Sequence, residues 1–447
     1  MKKSVLALFA AFALSGLAEA QKYTGTPAQD LFDQASFYLD FHYNGFSGAN
    51  LERLVEKYQA QIDDACAPQA QTCPFDVARR PIAAMIEELQ DPHSYFVPAD
   101  VARQFAGQLG GGGSGAPSLE LSSAKLRGVS DRVVTDVRAD GPAGKAGLLR
   151  GDRIIAINGQ ALPSSRSNND NLIPSLEQRG QAINFSVLRK QARLEIAVTP
   201  VVVQTPWLPE SKSPTGLPSG TALIRIHEFT PFKDVGQKFH ELVNTAQQAG
   251  ASSIVVDLRD NPGGVATECT SAPGAFMPEV VNTLERRHSK TVFRYQNGIV
   301  STGDGQKMSE AYIIAKPAKF TGKVAVLVNA ESASCGEVFP AQIQAAKRGL
   351  VVGEPTYGIL NTATSFFDLA DGSLLGLTIA KSLHPNGQYF PERVKPDLEV
   401  SEDLEALANG RDVMLEKALE GLNNTTTLSL PTSLPTLPRE LYALGGL

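Results

Sequence analysis

Three kinds of hydrophobic spacing follow one another along this chain, and each predicts a different element. Between residues 28 and 105, apolar positions recur every three or four residues. Leu31, Phe32, Ala35, Tyr38 and Leu39 form one such set, and Leu51, Leu54, Val55 and Tyr58 another. That spacing places a single apolar stripe on a helix. Proline is favoured in the first turn of a helix, so Pro81 predicts that a further helix opens there and runs through Met85, Ile86 and Leu89. The residue before a proline is biased away from helix. Asp91-Pro92-His93-Ser94 therefore marks a boundary and leaves His93 on a loop.

From residue 106 the spacing shortens. A glycine-rich stretch, Gly110 to Gly115, predicts a flexible segment. Short β-type runs follow at Leu119–Leu121, Val133–Val137, Arg153–Ile157 and Ile183–Leu188. Residues 204–220 are rich in Pro and Ser and are expected to link two domains. Strands and helices then alternate. Ala222–Ile226 and Ile254–Leu258 are predicted strands, and Phe232, Val235, Phe239, Leu242, Val243 and Ala246 make one helical face. Val324-Ala325-Val326-Leu327-Val328 is apolar at every position, as expected of a strand covered on both faces. Asp371-Gly372 joins two further strands as a hairpin. A last helix is expected near Leu404–Leu422, and the Thr-, Ser-, Leu- and Pro-rich tail from Asn423 is expected to be disordered.

The result is an α/β multidomain chain. Its parts are 1–20, a targeting segment; 21–105, a helical domain; 106–203, a small β-domain; 204–220, a linker; 221–403, an α/β core; and 404–447, a helix and tail. The targeting segment rests on Lys2 and Lys3, the apolar stretch Val5–Leu17, and Ala18-Glu19-Ala20 before Gln21. The alternative is an uncleaved anchor, for which the stretch is short. Export to a periplasm or the exterior is the expectation, with no other run able to span a bilayer. A net charge of −6 and the lack of a basic cluster argue against nucleic acid as a partner. In an oxidising compartment the four cysteines are expected to pair, Cys66 with Cys73 around a short polar loop. No His or Cys cluster has zinc spacing, so neither a metal nor another cofactor is expected.

Candidate chemistry sits after the doubly apolar strand, in Asn329-Ala330-Glu331-Ser332-Ala333-Ser334-Cys335-Gly336-Glu337. A helix is predicted to begin near Cys335. A serine at a helix mouth lies beside unpaired amides and the positive dipole end, which stabilise an oxyanion. An ordinary serine-capped helix reads the same way. Pro340 argues that this helix starts late or has a distorted first turn, since an interior proline costs about 3 kcal/mol.

Two wider patterns give a resemblance. Gly141-Pro142-Ala143-Gly144-Lys145-Ala146-Gly147-Leu148 followed by Gly151-Asp152-Arg153-Ile154-Ile155-Ala156-Ile157-Asn158-Gly159 resembles a bacterial PDZ domain. Such a domain implies an extended peptide added to a sheet edge, its terminal carboxylate held by backbone amides. Gly113, Ser114, Gly115, Leu119 and Leu121 are the positions implied for that role. Next come Asp257-Leu258-Arg259-Asp260-Asn261-Pro262-Gly263-Gly264, the serine turn, Gly353-Glu354-Pro355-Thr356-Tyr357-Gly358 and Val394-Lys395-Pro396-Asp397. In that order they resemble the C-terminal processing, or tail-specific, serine peptidases. The likeness implies a crotonase-like core, Ser334 as nucleophile, and Gly263, Gly264 and Cys335 as oxyanion-hole residues. Both cysteines of the second pair follow the two site loops, so a Cys269–Cys335 disulfide is expected.

One departure stands out. Many of these peptidases pair the serine with a lysine inside a Gly-Lys-Gly run. Here the run reads Gly358-Ile359-Leu360, and isoleucine accepts no proton. A tricorn-like branch of the superfamily uses Ser, His and Glu instead. By that resemblance His93, in Asp91-Pro92-His93, is the base and Glu392 the residue that orients it. A capping or packing role is the other reading of His93. Two functions follow. One is an exported serine endopeptidase acting on unfolded or precursor proteins, with the PDZ domain taking free C-termini. The other is an inactive peptidase scaffold that binds peptide C-termini.

Overall fold

The computed structural model describes residues 25–102, 117–203, 205–230, 233–384 and 386–424. The expected targeting segment, the whole glycine-rich stretch, Phe232 and the tail beyond residue 424 lie outside them. The chain divides into two compact units, Met1–Ala99 with Ser365–Leu377, and the remainder.

Three helices build the first unit: Pro27–His42, Leu51–Cys66 and Asp76–Glu87. The first starts where Thr26 and Gln29 form a capping box ahead of Pro27, and the second where Asn50 Oδ1 accepts the Arg53 amide. Their predicted stripes are inside: Leu31, Phe32, Ala35, Leu39, Leu54, Tyr58 and Ile62 are buried. Pro81 lies within the third helix rather than opening it. Burial of Ala78 gives the earlier residues a packing reason to be helical, and that outweighs the single hydrogen bond a proline forfeits. The Cys66–Cys73 disulfide closes the turn after the second helix. The strand Tyr95–Val97 pairs antiparallel with Leu374–Gly376. Leu374–Leu383 forms a hairpin with the preceding strand, Thr362–Asp368, that turns at Asp371-Gly372, where Gly372 has φ 81°.

In the second unit the small β-domain is an antiparallel sheet in the order Leu121–Lys125, Arg132–Val137, Arg153–Ile157, Ile183–Arg189, Ala192–Val198. The helix Arg166–Glu177 packs on it through Ile173, Leu172 and Leu176, against Leu119, Val134, Ile154 and Phe185. Among the described residues, Leu121–Lys125 pairs on one side only and forms an edge.

The core is layered. A parallel sheet runs Thr221–Arg225, Ser253–Asp257, Lys323–Val328, Leu350–Gly353, Leu398–Glu399. Its strands are covered on both faces, as the uninterrupted apolar runs predict. Ile254, Val256, Val324 and Val326 meet Phe239, Phe276 and Phe339 on one side. Val255, Ala325 and Leu327 meet Met414, Leu415 and Ala418 on the other. A second, antiparallel sheet contains Glu279–Arg286, Lys290–Gln296, Ile299–Gly303 and Met308–Ile313, with Ala380–Leu383 paired to the first of these.

Two boundaries differ from expectation. The linker contributes a strand, Glu210–Lys212, which pairs antiparallel with Thr221–Arg225. The last helix is two, Leu404–Ala408 and Val413–Asn424. Asn409-Gly410 separates them, and Gly410 at φ 84° takes the left-handed conformation that ends helices.

Charged side chains tie this β-domain to the core. Asp136 meets Arg225 at 2.9 Å, Arg225 meets Asp257 at 2.8 Å, Arg259 bridges Asp257 and Asp412, and Arg150 reaches Asp412 at 2.9 Å. His227 lies between Asp136 (2.7 Å) and Glu210 (2.8 Å), with its ring 3.7 Å from that of Trp207.

Candidate active site

The strand Lys323–Val328 delivers the chain to a turn with one unusual residue. Ser334 has φ 51° and ψ −116°, a conformation that costs a non-glycine residue roughly 1–3 kcal/mol. Its surroundings over-determine it. The Ser332 hydroxyl donates to the Leu258 carbonyl (2.8 Å) and accepts the Asn329 amide (3.0 Å). Asn329 Oδ1 takes the Asp260 amide, and the Ala333 amide donates to the Asn261 carbonyl. Ser334 is half-buried at the mouth of the helix Cys335–Ala345. That helix begins where predicted and contains Pro340. Its first turn is tight, with Gly336 and Glu337 amides bonding three residues back to Ala333 and Ser334.

The glycine loop presses on this turn. Gly263 has φ 106°, and a Cβ there would lie 2.7 Å from Ser334 Cβ. Gly264 has φ 142°, and a Cβ there would strike the Phe229 backbone. Only glycine suits either position. The Gly263 amide is already taken by Asn261 Oδ1 at 2.9 Å. Among the described residues no acceptor lies on the amides of Gly264, which follows the glycine pressed on Ser334, or of Cys335, which follows Ser334 in the chain. The Cys269–Cys335 disulfide joins the helix after the glycine loop to the residue after Ser334.

Sequence reasoning missed the importance of Glu337. It is fully buried and accepts four hydrogen bonds: from the Ser334 amide (2.9 Å), the Thr356 hydroxyl (2.6 Å), and the Gly358 and Ile359 amides (3.0 Å each). Burial pushes its carboxyl up, against the pull of these donors. The carboxylate thereby stitches the segment where a dyad lysine would sit to the serine turn. Ile359 is buried there. The signal was present only as the residue type at the third helical position; its partners lie about twenty residues away.

Glu392 belongs to the strip beside this segment, its carbonyl accepting the Leu360 amide at 2.9 Å. Its side chain is 63% exposed and 3.4 Å from Arg393. His93 is carried by the first unit. It is buried, its amide donates to Asp91 Oδ1 at 3.0 Å, and burial pushes the imidazole down to about 4, with Asp91 opposing. His240 is a core residue: Nε2 lies 3.0 Å from the Ser271 carbonyl and Nδ1 accepts the Ala318 amide. His384 lies tilted against Phe390, and His42 stacks on Phe367.

Of the peptide-binding candidates, Gly113, Ser114 and Gly115 lie outside the described residues. Leu119 is fully buried and donates its amide to Glu177 Oε1 at 2.7 Å. Leu121 is half-buried at the start of the edge strand. Among the described residues, no three His, Cys, Asp or Glu side chains converge to hold a metal ion.

Residues 220–400 match peptidase family S41, and residues 119–199 match the PDZ domain family. Residues 220–400 thus carry an S41 peptidase domain, with a PDZ domain set before it. The chain is similar to C-terminal processing proteases. A "Probable CtpA-like serine protease" of Staphylococcus epidermidis is 24% identical over 358 residues, 79% of this chain and 66% of that protein. A protein of the same name from Staphylococcus aureus is 24% identical over 405 residues, 89% of this chain and 72% of the relative. The chain thus spans about two thirds of the length of these curated relatives. Among solved structures, the photosystem II D1 C-terminal processing protease superposes with a TM-score of 0.51 at 20% identity, covering 91% of this chain and all of that one. An S41 protease of Bacteroides fragilis gives 0.55 at 16% identity, covering 77% and 90%. Nothing in these comparisons supports the inactive-scaffold reading.

Proposed function

We propose that this chain is an exported serine endopeptidase of the C-terminal processing type. Ser334 attacks the scissile carbonyl, and the amides of Gly264 and Cys335 hold the oxyanion. Gly263 contributes through its lack of a side chain, not through its engaged amide. His93 takes the proton from Ser334 and returns it to the leaving amine. Burial pushes that imidazole down to about 4, so it is neutral at physiological pH and free of a bound proton, but a weaker base than an ordinary histidine. Glu392, whose carboxylate faces solvent, orients the imidazole. The PDZ domain recruits unfolded or precursor proteins, either by free C-termini or along their interior.

The observation that carries this reading is a strained serine at a helix mouth, locked by Glu337 and a disulfide, with the Gly264 and Cys335 amides unengaged among the described residues. The test is cleavage of unstructured β-casein by the purified chain, with fluorophosphonate labelling mapped by mass spectrometry. Cleavage and an adduct on Ser334, both absent in Ser334→Ala, are the expected results. An intact substrate together with an unlabelled Ser334 overturns the proposal.

A further inference from the structure

A PDZ domain holds an extended peptide against a sheet edge and grips its terminal carboxylate with backbone amides at the start of that edge strand. In this chain the edge strand is Leu121–Lys125, facing the helix Arg166–Glu177 across Leu121, Leu172 and Leu176. The amide of Leu119, just ahead of the strand, is already occupied. Glu177 Oε1 accepts it at 2.7 Å, and the Ser118 hydroxyl lies 3.5 Å from the same oxygen.

Several features mark Glu177 as placed rather than incidental. It is the last residue of its helix, where the dipole disfavours a carboxylate. Among the described residues no cation pairs with it. It is partly buried, and burial pushes its carboxyl up, against the Leu119 and Ser118 hydrogen bonds. What it gains in return is the Leu119 amide. A peptide carboxylate arriving there meets a like charge and a donor with no capacity left.

We propose that Glu177 is a specificity-determining residue: it stands in for a ligand's terminal carboxylate, so the groove takes internal extended apolar segments in preference to free C-termini. This rests on the PDZ assignment and not on catalysis. It turns the recruiting module toward unfolded chains wherever their apolar stretches lie.

The experiment measures binding to the full chain carrying Ser334→Ala, so that turnover plays no part. The probes are two fluorescent apolar peptides of identical sequence, one with a free C-terminal carboxylate and one amidated. The unaltered groove is expected to bind the amidated peptide at least as tightly as the acid. Glu177→Gln keeps an acceptor for Leu119 but loses the charge, and Glu177→Ala loses both. Each is expected to tighten binding of the acid by about tenfold and to leave the amide unchanged. Circular dichroism checks that both variants fold, and the conservative Gln variant keeps the test valid if Ala does not. A groove that already favours the acid about tenfold, with no response to Glu177→Gln, overturns the proposal. So does failure of both peptides to bind any form. Fluorophosphonate labelling of the unmutated chain reports separately on the peptidase reading.

Discussion

The serine turn and the seam between PDZ domain and core are built by opposite means. Around Ser334 the ties are a covalent bridge and hydrogen bonds to backbone groups: Cys269–Cys335, and Glu337 with its four donors. At the seam the ties are charges: Asp136, Arg225, Asp257, Arg259, Asp412 and Arg150, with His227 between Asp136 and Glu210. Bonds directed at backbone groups fix a geometry, and the carboxyl among them, Glu337, is pushed up by burial. Paired charges depend on protonation state and on both partners remaining in place. The chemistry is thus anchored rigidly, while the attachment of the recruiting domain can be loosened by conditions.

The largest expected effect comes from the reacting atom. Ser334→Ala should lower the cleavage rate by at least about a thousandfold with the fold intact, as measured by casein turnover and thermal melting. Glu337→Ala is next, and it attacks the rigid side of the contrast. It leaves three amides and the Thr356 hydroxyl without their acceptor, and should cost about 3 kcal/mol in urea unfolding and roughly a hundredfold in turnover. Breaking the covalent tie should matter less. Cys269→Ser with Cys335→Ser retains the residue-335 amide but frees the turn, and a tenfold fall in turnover with about 2–4 kcal/mol of lost stability is expected. Reduction and reoxidation of the unmutated chain should reproduce the loss and its recovery.

Acid probes the other side. Burial pushes the Glu210 carboxyl up, but hydrogen bonds from His227 and Lys212 outweigh it and hold it at about 2. Asp136 is likewise held well below its ordinary value, with Arg225 and His227 overcoming burial. Between the ordinary carboxylate range and these values the unfolded chain binds more protons than the folded one. Stability from the seam is therefore fully present above about pH 5 and is lost as pH falls toward 2, with Glu210 contributing about 3 kcal/mol. His93 and His240, both pushed down to about 4 by burial, add a loss over the window from about 6.5 to 4, because the unfolded imidazoles protonate first. Hydrogen exchange across pH should open the Thr221–Arg225 seam before the amides around Ser334. The reverse order would break the comparison.

Much of this was legible in the residues, for physical reasons. Val324–Val328 reads as a doubly covered strand because every position is apolar, and Ser334 at the following helix start is a local pattern. The cysteine pairing is legible because both residues trail site loops. What escaped depends on partners distant in sequence. Glu337 reads as an ordinary first-turn carboxylate until Thr356, Gly358 and Ile359 arrive. Glu177 carries no signal in the sequence and gains its role only when Leu119 folds against it. Glu210–Lys212 sits in a Pro- and Ser-rich stretch and becomes a strand only because Thr221–Arg225 offers an edge. Pro81 was read as a start signal, whereas the burial of Ala78 draws the helix back to Asp76.

The central claim is that Ser334 is a working nucleophile although isoleucine stands where a lysine is usual. The most direct measurement is the rate of fluorophosphonate addition to Ser334, mapped by mass spectrometry from pH 4 to 9. The account predicts an adduct on Ser334 whose rate holds level from neutral pH down to about 5, falls below that as the imidazole protonates, and collapses in His93→Asn. An unmodified Ser334 throughout, in a chain shown to be folded, would contradict it.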